Sequence, residues 1–551
     1  MRRQVALGVL TAIAVSVGVG GMARQAASPE ARVDAVMSRW STSSPGCAVG
    51  VSVKGSPVLE KAYGMADLEH AVANKPDTIF EAGSVSKQFT AAAILLLAKD
   101  GKLSLDDPAQ KYIPELPPYG TQPTIRHMLT HTSGLRDWGS IAAIGGWPRT
   151  TRVHTHDHVL DIVSRQRSLN FLPGTRWSYS NTGYNLAAII VSRTSGQSFA
   201  DFTRTRIFEP LGMTRTSWRD DFTRVVKDRA IAYSESGGTF TSDMPFENVH
   251  GNGGLLTTVG DLLRWTRNLS EPVVGDAAFV KEQQEPGKFR DGRQHDYAFG
   301  LRIAPYRSVR EVSHGGATAG YRAYLAHYPE QRVSVAVLCN VGSGNAAQYA
   351  HAVADAYLGL GTETKEDAGA GSGGRGTGRG ATAGSPPQDP RAGTYLSHDT
   401  GEPLVVVRAG ENLRVGNTVL TARSATRFAA NGRTFDFGSN DRLSVVDEFG
   451  SASSYLRVRT DLPPLRVADY AGDYESSDAE VTMTATADGD ALVLKRRPAT
   501  VIRLTQVYAD GFRSSLGLVR FQRDSAGKVT GFSISQDRVW DLRFRRQPSS
   551  K

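Results

Sequence analysis

Ser84 and Lys87 stand three residues apart in the run Phe80-Glu81-Ala82-Gly83-Ser84-Val85-Ser86-Lys87-Gln88-Phe89-Thr90. On a helix that spacing puts a hydroxyl and an amine one turn apart on the same face. A serine hydroxyl is a poor nucleophile until a neighbouring base takes its proton. A lysine buried near the positive end of a helix has a lowered pKa and can be that base. Trp177-Ser178-Tyr179-Ser180-Asn181 adds a phenol at Tyr179, able to act as base toward the serine and as acid toward a leaving group. The amide of Asn181 can hold both Lys87 and a substrate carbonyl. In Val312-Ser313-His314-Gly315-Gly316-Ala317-Thr318 the small residues after His314 let an edge strand approach an extended substrate. A backbone N–H from this stretch, with that of Ser84, would form an oxyanion hole. Each motif alone also describes something ordinary: a helix start, an aromatic turn, a glycine bulge in a strand. Their joint occurrence in this order is far more specific than any one of them.

The elements that must position these residues are legible around them. Ala91 to Ala98 is apolar and helix-forming, and Lys99-Asp100-Gly101 reads as its end, with Gly101 in the left-handed stop position. Upstream, Ser28-Pro29-Glu30 opens a helix carrying Val33, Val36, Met37 and Trp40 at helical spacing. Cys47 to Val53 and Val58 to Tyr63, separated by Lys54-Gly55-Ser56-Pro57, read as a hairpin. Tyr321 to Tyr328 and Val333 to Cys339 read as paired strands, and Ala346 to Leu360 as a closing helix. The pattern predicts an α/β (α+β) domain over residues 28–360, with helices flanking an antiparallel sheet. Cys47 and Cys339, the two cysteines of the chain, fall in strands and read most simply as buried thiols; spacing leaves a disulfide open. His131 reads as a structural, hydrogen-bonded histidine. His154, His156 and His158 with Asp157 lack an established ligand spacing. Asp157 reads as a helix cap, and no metal or cofactor is expected.

Composition changes abruptly at Gly361, and residues 361–388 read as a Gly/Ser/Pro-rich linker. The tail beyond is duplicated. Ala392-Gly393-Thr394-Tyr395 recurs as Ala471-Gly472-Asp473-Tyr474, 79 residues on, and Phe428 and Phe437 as Phe512 and Phe521, 84 residues on. Short alternating runs separated by Gly, Asp and Asn turns predict two small antiparallel β domains, 389–460 and 465–546, in the manner of barrels. Neither copy carries a nucleophile and base, so both read as accessory.

The chain has 551 residues, 64 basic against 55 acidic, for a formal charge of +9. No Lys/Arg block with interleaved aromatics is present, which argues against nucleic-acid binding; a mildly basic surface suits anionic envelope polymers, peptidoglycan among them. Met1-Arg2-Arg3 followed by the uncharged Val5 to Ala23 reads as a signal peptide over residues 1–27. Export to the periplasm or the extracellular space is therefore expected, with no stable membrane anchor after cleavage; a retained anchor is the competing reading.

Through these three motifs together, the chain resembles the serine β-lactamase and penicillin-binding protein superfamily. In detail it is similar to the class C β-lactamase branch, with its S-x-S-K, Y-x-N and H/K-x-G motifs. The similarity includes Ser84 to Thr90, Gly101 to Pro108, Leu129 to Gly134 and Gly253-Gly254-Leu255. The resemblance implies an α/β sandwich joined to an all-helical subdomain, with the site between them and without metal or organic cofactor. It implies Ser84 as the acylated nucleophile, Lys87 as its general-base partner and Tyr179 as a second acid/base residue. Asn181 would position substrate, and His314 with Gly315 and Gly316 would form the third motif. Lys or Tyr as the base is left open by the resemblance. One departure bears on substrate: class C β-lactamases usually carry Lys where this chain has His314, and that Lys helps bind a carboxylate. With two C-terminal β domains, the His-Gly-Gly motif resembles the bacterial D-aminopeptidases of this superfamily. The expectation is an exported serine hydrolase that acts through an acyl-enzyme on small amides or esters, D-amino-acid peptides or peptidoglycan fragments first among them. The alternatives are a β-lactamase or D,D-peptidase, and a non-catalytic envelope-binding protein.

Overall fold

Ser28 accepts a hydrogen bond from the Ala31 N–H at 3.2 Å and opens α1 (Pro29–Met37), with proline in the first turn where its missing N–H costs nothing. The computed structural model to which this helix belongs describes residues 27–360, 389–439, 441–458, 462 and 464–548. The signal-peptide reading, save for its last residue, and the linker reading at 361–388 lie outside the described residues.

A hairpin follows, β1 (Cys47–Val53) and β2 (Ser56–Tyr63), turned at Lys54 and Gly55, both with positive φ. After α2 (Lys87–Lys99), α3 (Asn181–Ser195) and α4 (Val259–Asn268), four more strands complete the sheet. They are β3 (Arg302–Tyr306), β4 (Val309–Thr318), β5 (Tyr321–Tyr328) and β6 (Val333–Cys339), and α5 (Ala346–Leu358) closes the domain. The six strands lie in the order β3-β4-β5-β6-β1-β2, all pairs antiparallel. Alternation divides the central strands between two cores. Cys47, Val49, Val51, Val335, Val337 and Cys339 pack with α1 and α5, while Ala48, Ala336 and Leu338 face α2 and α4. Both faces of the sheet are thus covered by helices.

Register corrects the reading of two free thiols. Cys47 and Cys339 are direct partners across the β1–β6 ladder, with Cα atoms 4.0 Å apart, and form a disulfide. Antiparallel neighbours hold two side chains on one face at bridging distance, which sequence spacing could not disclose.

The all-helical part lies between α2 and α4 in the chain and includes Ile125–Leu129, Trp138–Ile144, His156–Ser164, α3 and Phe199–Thr203. Here a second correction applies. The helix of the histidine run is capped by Thr155 with His158, and Asp157 sits in its first turn. The three histidines diverge: His154 Nε2 meets the Trp147 carbonyl at 3.2 Å, His156 Nε2 the His250 carbonyl at 3.0 Å, and His158 Nδ1 accepts the Thr155 N–H at 3.1 Å. Among the described residues no group of three His, Cys, Asp or Glu is placed to hold a metal ion, and no helix is long and apolar enough to cross a membrane.

The duplicated tail folds as two closed eight-stranded antiparallel barrels. The first runs from Gly393–Ser397 to Ala452–Val458, the second from Gly472–Ser476 to β7 (Val529–Gln536) and β8 (Val539–Arg546). Closure removes the free edges that short strands would otherwise expose. The repeated phenylalanines fall in equivalent strands: Phe428 and Phe437 in the fifth and sixth of one barrel, Phe512 and Phe521 in the fifth and sixth of the other.

Both barrels pack on the helical part. Arg136, buried, pairs with Asp478 at 3.1 Å and donates to the Trp540 carbonyl at 3.0 Å. Trp177 stacks on Phe449 with ring centroids 3.8 Å apart. Neither barrel brings a nucleophile or base of its own to the cleft described next, but the β7–β8 turn of the second barrel reaches it.

Candidate active site

Phe80–Glu81 forms a short strand, and Gly83–Ser86 is a single tight turn that runs directly into α2. Every residue of α2 from Lys87 to Leu97 is buried. A helix buried on all sides explains the uninterrupted apolar run of its sequence, and it carries the Lys87 amine into the interior with it. Ser86 ties the turn down: its Oγ donates to the Gly83 carbonyl at 2.5 Å and accepts the Leu255 N–H at 3.1 Å.

Lys87 Nζ lies 3.2 Å from Ser84 Oγ, 3.0 Å from Asn181 Oδ1 and 2.7 Å from the Asn252 carbonyl oxygen. The last two are pure acceptors. A neutral amine whose two N–H bonds point at Asn181 and Asn252 therefore turns its lone pair toward the serine hydroxyl. Burial holds the Lys87 pKa well below the ordinary lysine value; the charges of Arg538 and Arg149 push the same way, and Asp137 opposes them.

Tyr179 lines the same cavity as Ser84, and its ring centroid lies 4.8 Å from Lys87 Nζ. Burial pushes its phenol up to about 12, against the opposing effect of Ser84, so it stands as a neutral O–H donor at neutral pH. Its ring is held by His131, at a centroid distance of 4.3 Å. His131 is 1% exposed, and its Nδ1 accepts the Ser180 N–H at 3.2 Å. Burial, and then the Lys87 charge, keep it well below its usual pKa and hence neutral.

Asn181 is the first residue of α3, so a helix starts where the local pattern reads as an aromatic turn. Asp137 fixes it: Asp137 Oδ2 accepts the Asn181 N–H at 2.8 Å. Asn252 is held in turn by Asn185, whose Nδ2 donates to Asn252 Oδ1 at 2.7 Å. His131, Asp137 and Asn252 were not singled out as site residues in the sequence. Of these, His131 falls inside a segment of family similarity, Leu129 to Gly134, while Asn252 directly precedes Gly253-Gly254-Leu255 and Asp137 lies beyond Gly134.

His314, Gly315 and Gly316 lie on β4, which is an inner strand of the sheet and not an edge strand as expected. The expectation survives in a local form, because pairing with β3 stops at Ser313 while pairing with β5 continues to Thr318. The last residues of β4 are thus open on one side. The contact with the nucleophile turn is close: a Cβ on Gly316 would stand 2.1 Å from the Ala82 carbonyl oxygen, and one on Gly83, which also has φ +51°, would stand 2.7 Å from the Ala317 nitrogen. His314 is held by Tyr297, with Nε2 and the phenol oxygen 2.8 Å apart. Burial first, and then the charge of Lys87, lower its pKa to about 4, so it is neutral above that range.

All the residues named from the sequence meet in one place. Ser84, Tyr179, Asn181, His314, Gly315 and Gly316 line a single cavity of about 610 Å³, together with Asn252, Gly253 and Arg538, and Lys87 lies beneath its floor.

The beta-lactamase family model matches residues 29–360, more than half of the chain. The chain belongs to the beta-lactamase family. It is 29% identical over 470 residues to a D-aminopeptidase of Gluconobacter oxydans, covering 82% of this chain and 84% of that one. It is 25% identical over 527 residues to a D-aminopeptidase of Brucella canis, covering 89% and 93%. Among solved structures, the octameric penicillin-binding protein homologue from Pyrococcus abyssi matches with a TM-score of 0.55 and 22% identity, over 86% of this chain and 98% of that one. The D-amino acid amidase from Ochrobactrum anthropi SV3 matches with a TM-score of 0.52 and 22% identity, over 60% and 99%. These two show a shared fold. Family and relatives together make this family member a serine hydrolase.

Proposed function

We propose that this hydrolase cleaves D-amino-acid amides or short D-amino-acid peptides through an acyl-enzyme on Ser84. The observation that carries the chemistry is the Lys87 amine, 3.2 Å from Ser84 Oγ with two other acceptors in reach. Neutral Lys87 takes the Ser84 proton as the hydroxyl attacks the substrate carbonyl. The Ser84 N–H and a backbone N–H of the open end of β4 receive the oxyanion. Tyr179, a neutral donor beside the nucleophile, passes a proton to the departing amine, and the same groups reverse their parts when water attacks the acyl-enzyme. The D-amino-acid class is drawn from the D-aminopeptidase relatives, which align over most of the chain, barrels included.

The neutral, Tyr297-bound His314 disfavours the β-lactamase and D,D-peptidase readings to the extent that those need a cation at this position. An intact Ser84–Lys87–Tyr179 constellation likewise argues against a purely binding role. Export remains part of the proposal. It is supported by the signal-like start of the sequence and by the disulfide, a bond that persists in oxidising compartments.

The test is a substrate panel run on the native protein and on Ser84→Ala: a D-amino-acid p-nitroanilide, its L-enantiomer, a p-nitrophenyl ester and a chromogenic cephalosporin. Turnover of the D-anilide over the L-anilide, abolished in Ser84→Ala, is expected. Preferred turnover of the cephalosporin would replace the reading with a β-lactamase, and silence on every substrate would favour the binding role.

A further inference from the structure

Three arginines, Arg149, Arg322 and Arg538, and no Asp or Glu line the cavity, counted among the described residues. Two of the three are committed. Arg149 Nε donates to Glu247 at 2.7 Å, and Arg322 Nη1 donates to the Ala319 and Tyr321 carbonyls, each at 2.7 Å. Arg538 differs. It stands at the tip of the β7–β8 turn of the second barrel, where its backbone is clamped to the helical part. Its carbonyl accepts from Asn170 Nδ2 at 3.1 Å and from the Asp137 N–H at 3.3 Å, and the Trp540 N–H donates to Asn170 Oδ1 at 2.8 Å. Its guanidinium lies over the Tyr179 ring, 4.7 Å from the centroid. Among the described residues its one carboxylate neighbour is Asp537 at 3.9 Å, whose own side chain is 94% exposed and solvated.

A carboxylate entering this cleft meets no repelling Asp or Glu among the described lining residues and a planar pair of donors on Arg538. We propose that Arg538 is the carboxylate-reading residue of the cleft, so that preferred substrates carry a carboxylate next to the scissile bond. The second barrel then contributes the cation that the third motif, with His314, does not hold. This inference takes its choice of ligands from the D-amino-acid reading above and adds a charge requirement that reading does not contain. Two carboxylates of that class could reach Arg538: the C-terminal carboxylate of the leaving residue and an acidic side chain of the acyl residue.

Binding to the full chain carrying Ser84→Ala, followed by calorimetry, tests this without turnover. One pair of ligands is D-alanyl-D-alanine and its C-terminal amide; the other is D-glutamic acid α-amide and D-glutaminamide. In one pair the carboxylate form is expected to bind about 10- to 100-fold tighter, the range of a charge-assisted hydrogen bond. The pair that responds identifies the source. Adding Arg538→Gln should bring the ratio close to one, and Arg538→Lys should retain part of it. The thermal midpoint of each variant reports that the barrel is folded. Equal binding within both pairs, tighter binding of the amides, a preference that survives Arg538→Gln, or no binding of any of the four would overturn the proposal. If the native protein turns over no D-substrate while the preference stands, the D-amino-acid hydrolase reading fails and the carboxylate site remains.

Discussion

Lys87 is fully buried, and no carboxylate forms an ion pair with it among the described residues. Water would favour its charged form, so burial lowers its pKa, and Arg538 and Arg149 lower it further. The unfolded chain therefore binds a proton at Lys87 that the folded chain gives up. Between the folded and the ordinary lysine pKa, stability contributed by this group rises with pH and falls as pH drops. Activity follows the same proton: kcat/KM should rise with pH along a limb set by Lys87, below the ordinary lysine range. His314, lowered to about 4, and His131, lowered by burial, supply no competing limb near neutrality. Removing the charge of Arg538 relieves a repulsion, so Arg538→Gln should move the acid limb to higher pH, as read from a kcat/KM profile on one substrate. Lys87→Ala should lower kcat by about 10²- to 10⁴-fold, the usual range for a lost general base. At this scale the sequence was highly legible, because Ser84 and Lys87 are joined by a single helical turn that fixes their geometry locally. Arg538 was not legible, since its place depends on how a distant barrel docks.

At the level of elements, the site is made where α2, α3 and the open end of β4 converge. Gly316 shows how tightly. A methyl group there would stand 2.1 Å from the Ala82 carbonyl, which is backbone and cannot rotate away. Gly316→Ala should therefore push β4 off the nucleophile turn, costing about 1–3 kcal/mol of stability and lowering kcat more than it raises KM, because the oxyanion donors move. Denaturant midpoints and steady-state kinetics would show both. The helix of the nucleophile and the β1–β2 hairpin could be read from local patterning alone. The start of α3 could not, because Asn181 sits at a helix N-terminus fixed by Asp137, a tertiary bond in place of a local cap. The strand of His314 was read correctly as a strand, but its place inside the sheet is settled by β3, whose pairing no local pattern announces.

For the whole molecule, two long-range links hold the parts in register. The Cys47–Cys339 disulfide spans 292 residues and joins the first and last of the central strands in sequence. Cys47→Ser with Cys339→Ser should lower stability by about 2–5 kcal/mol, seen as a fall in the thermal midpoint that reductant reproduces in the native protein. The pairing was left open by sequence because it is a property of register. The second link is Arg136, buried at the foot of the second barrel with Asp478 as its carboxylate partner. Asp478→Asn should loosen the barrel by about 1.5–3 kcal/mol, the range for a hydrogen bond to a charged group. The loss would be seen as a lower denaturant midpoint than that of the native protein. Duplication of the tail and its β character were visible in the repeated Ala-Gly-x-Tyr and phenylalanine positions. That one copy faces the cleft was not, because the β7–β8 turn carries no motif of its own.

The most direct test of the central claim is intact-protein mass spectrometry after rapid acid quench of the native chain with a D-alanine ester or anilide, with Ser84→Ala alongside. The expected result is a D-alanyl adduct formed within the first turnover and mapped to Ser84, absent from the variant. Turnover with no adduct, or an adduct on another residue that persists in Ser84→Ala, would contradict the account.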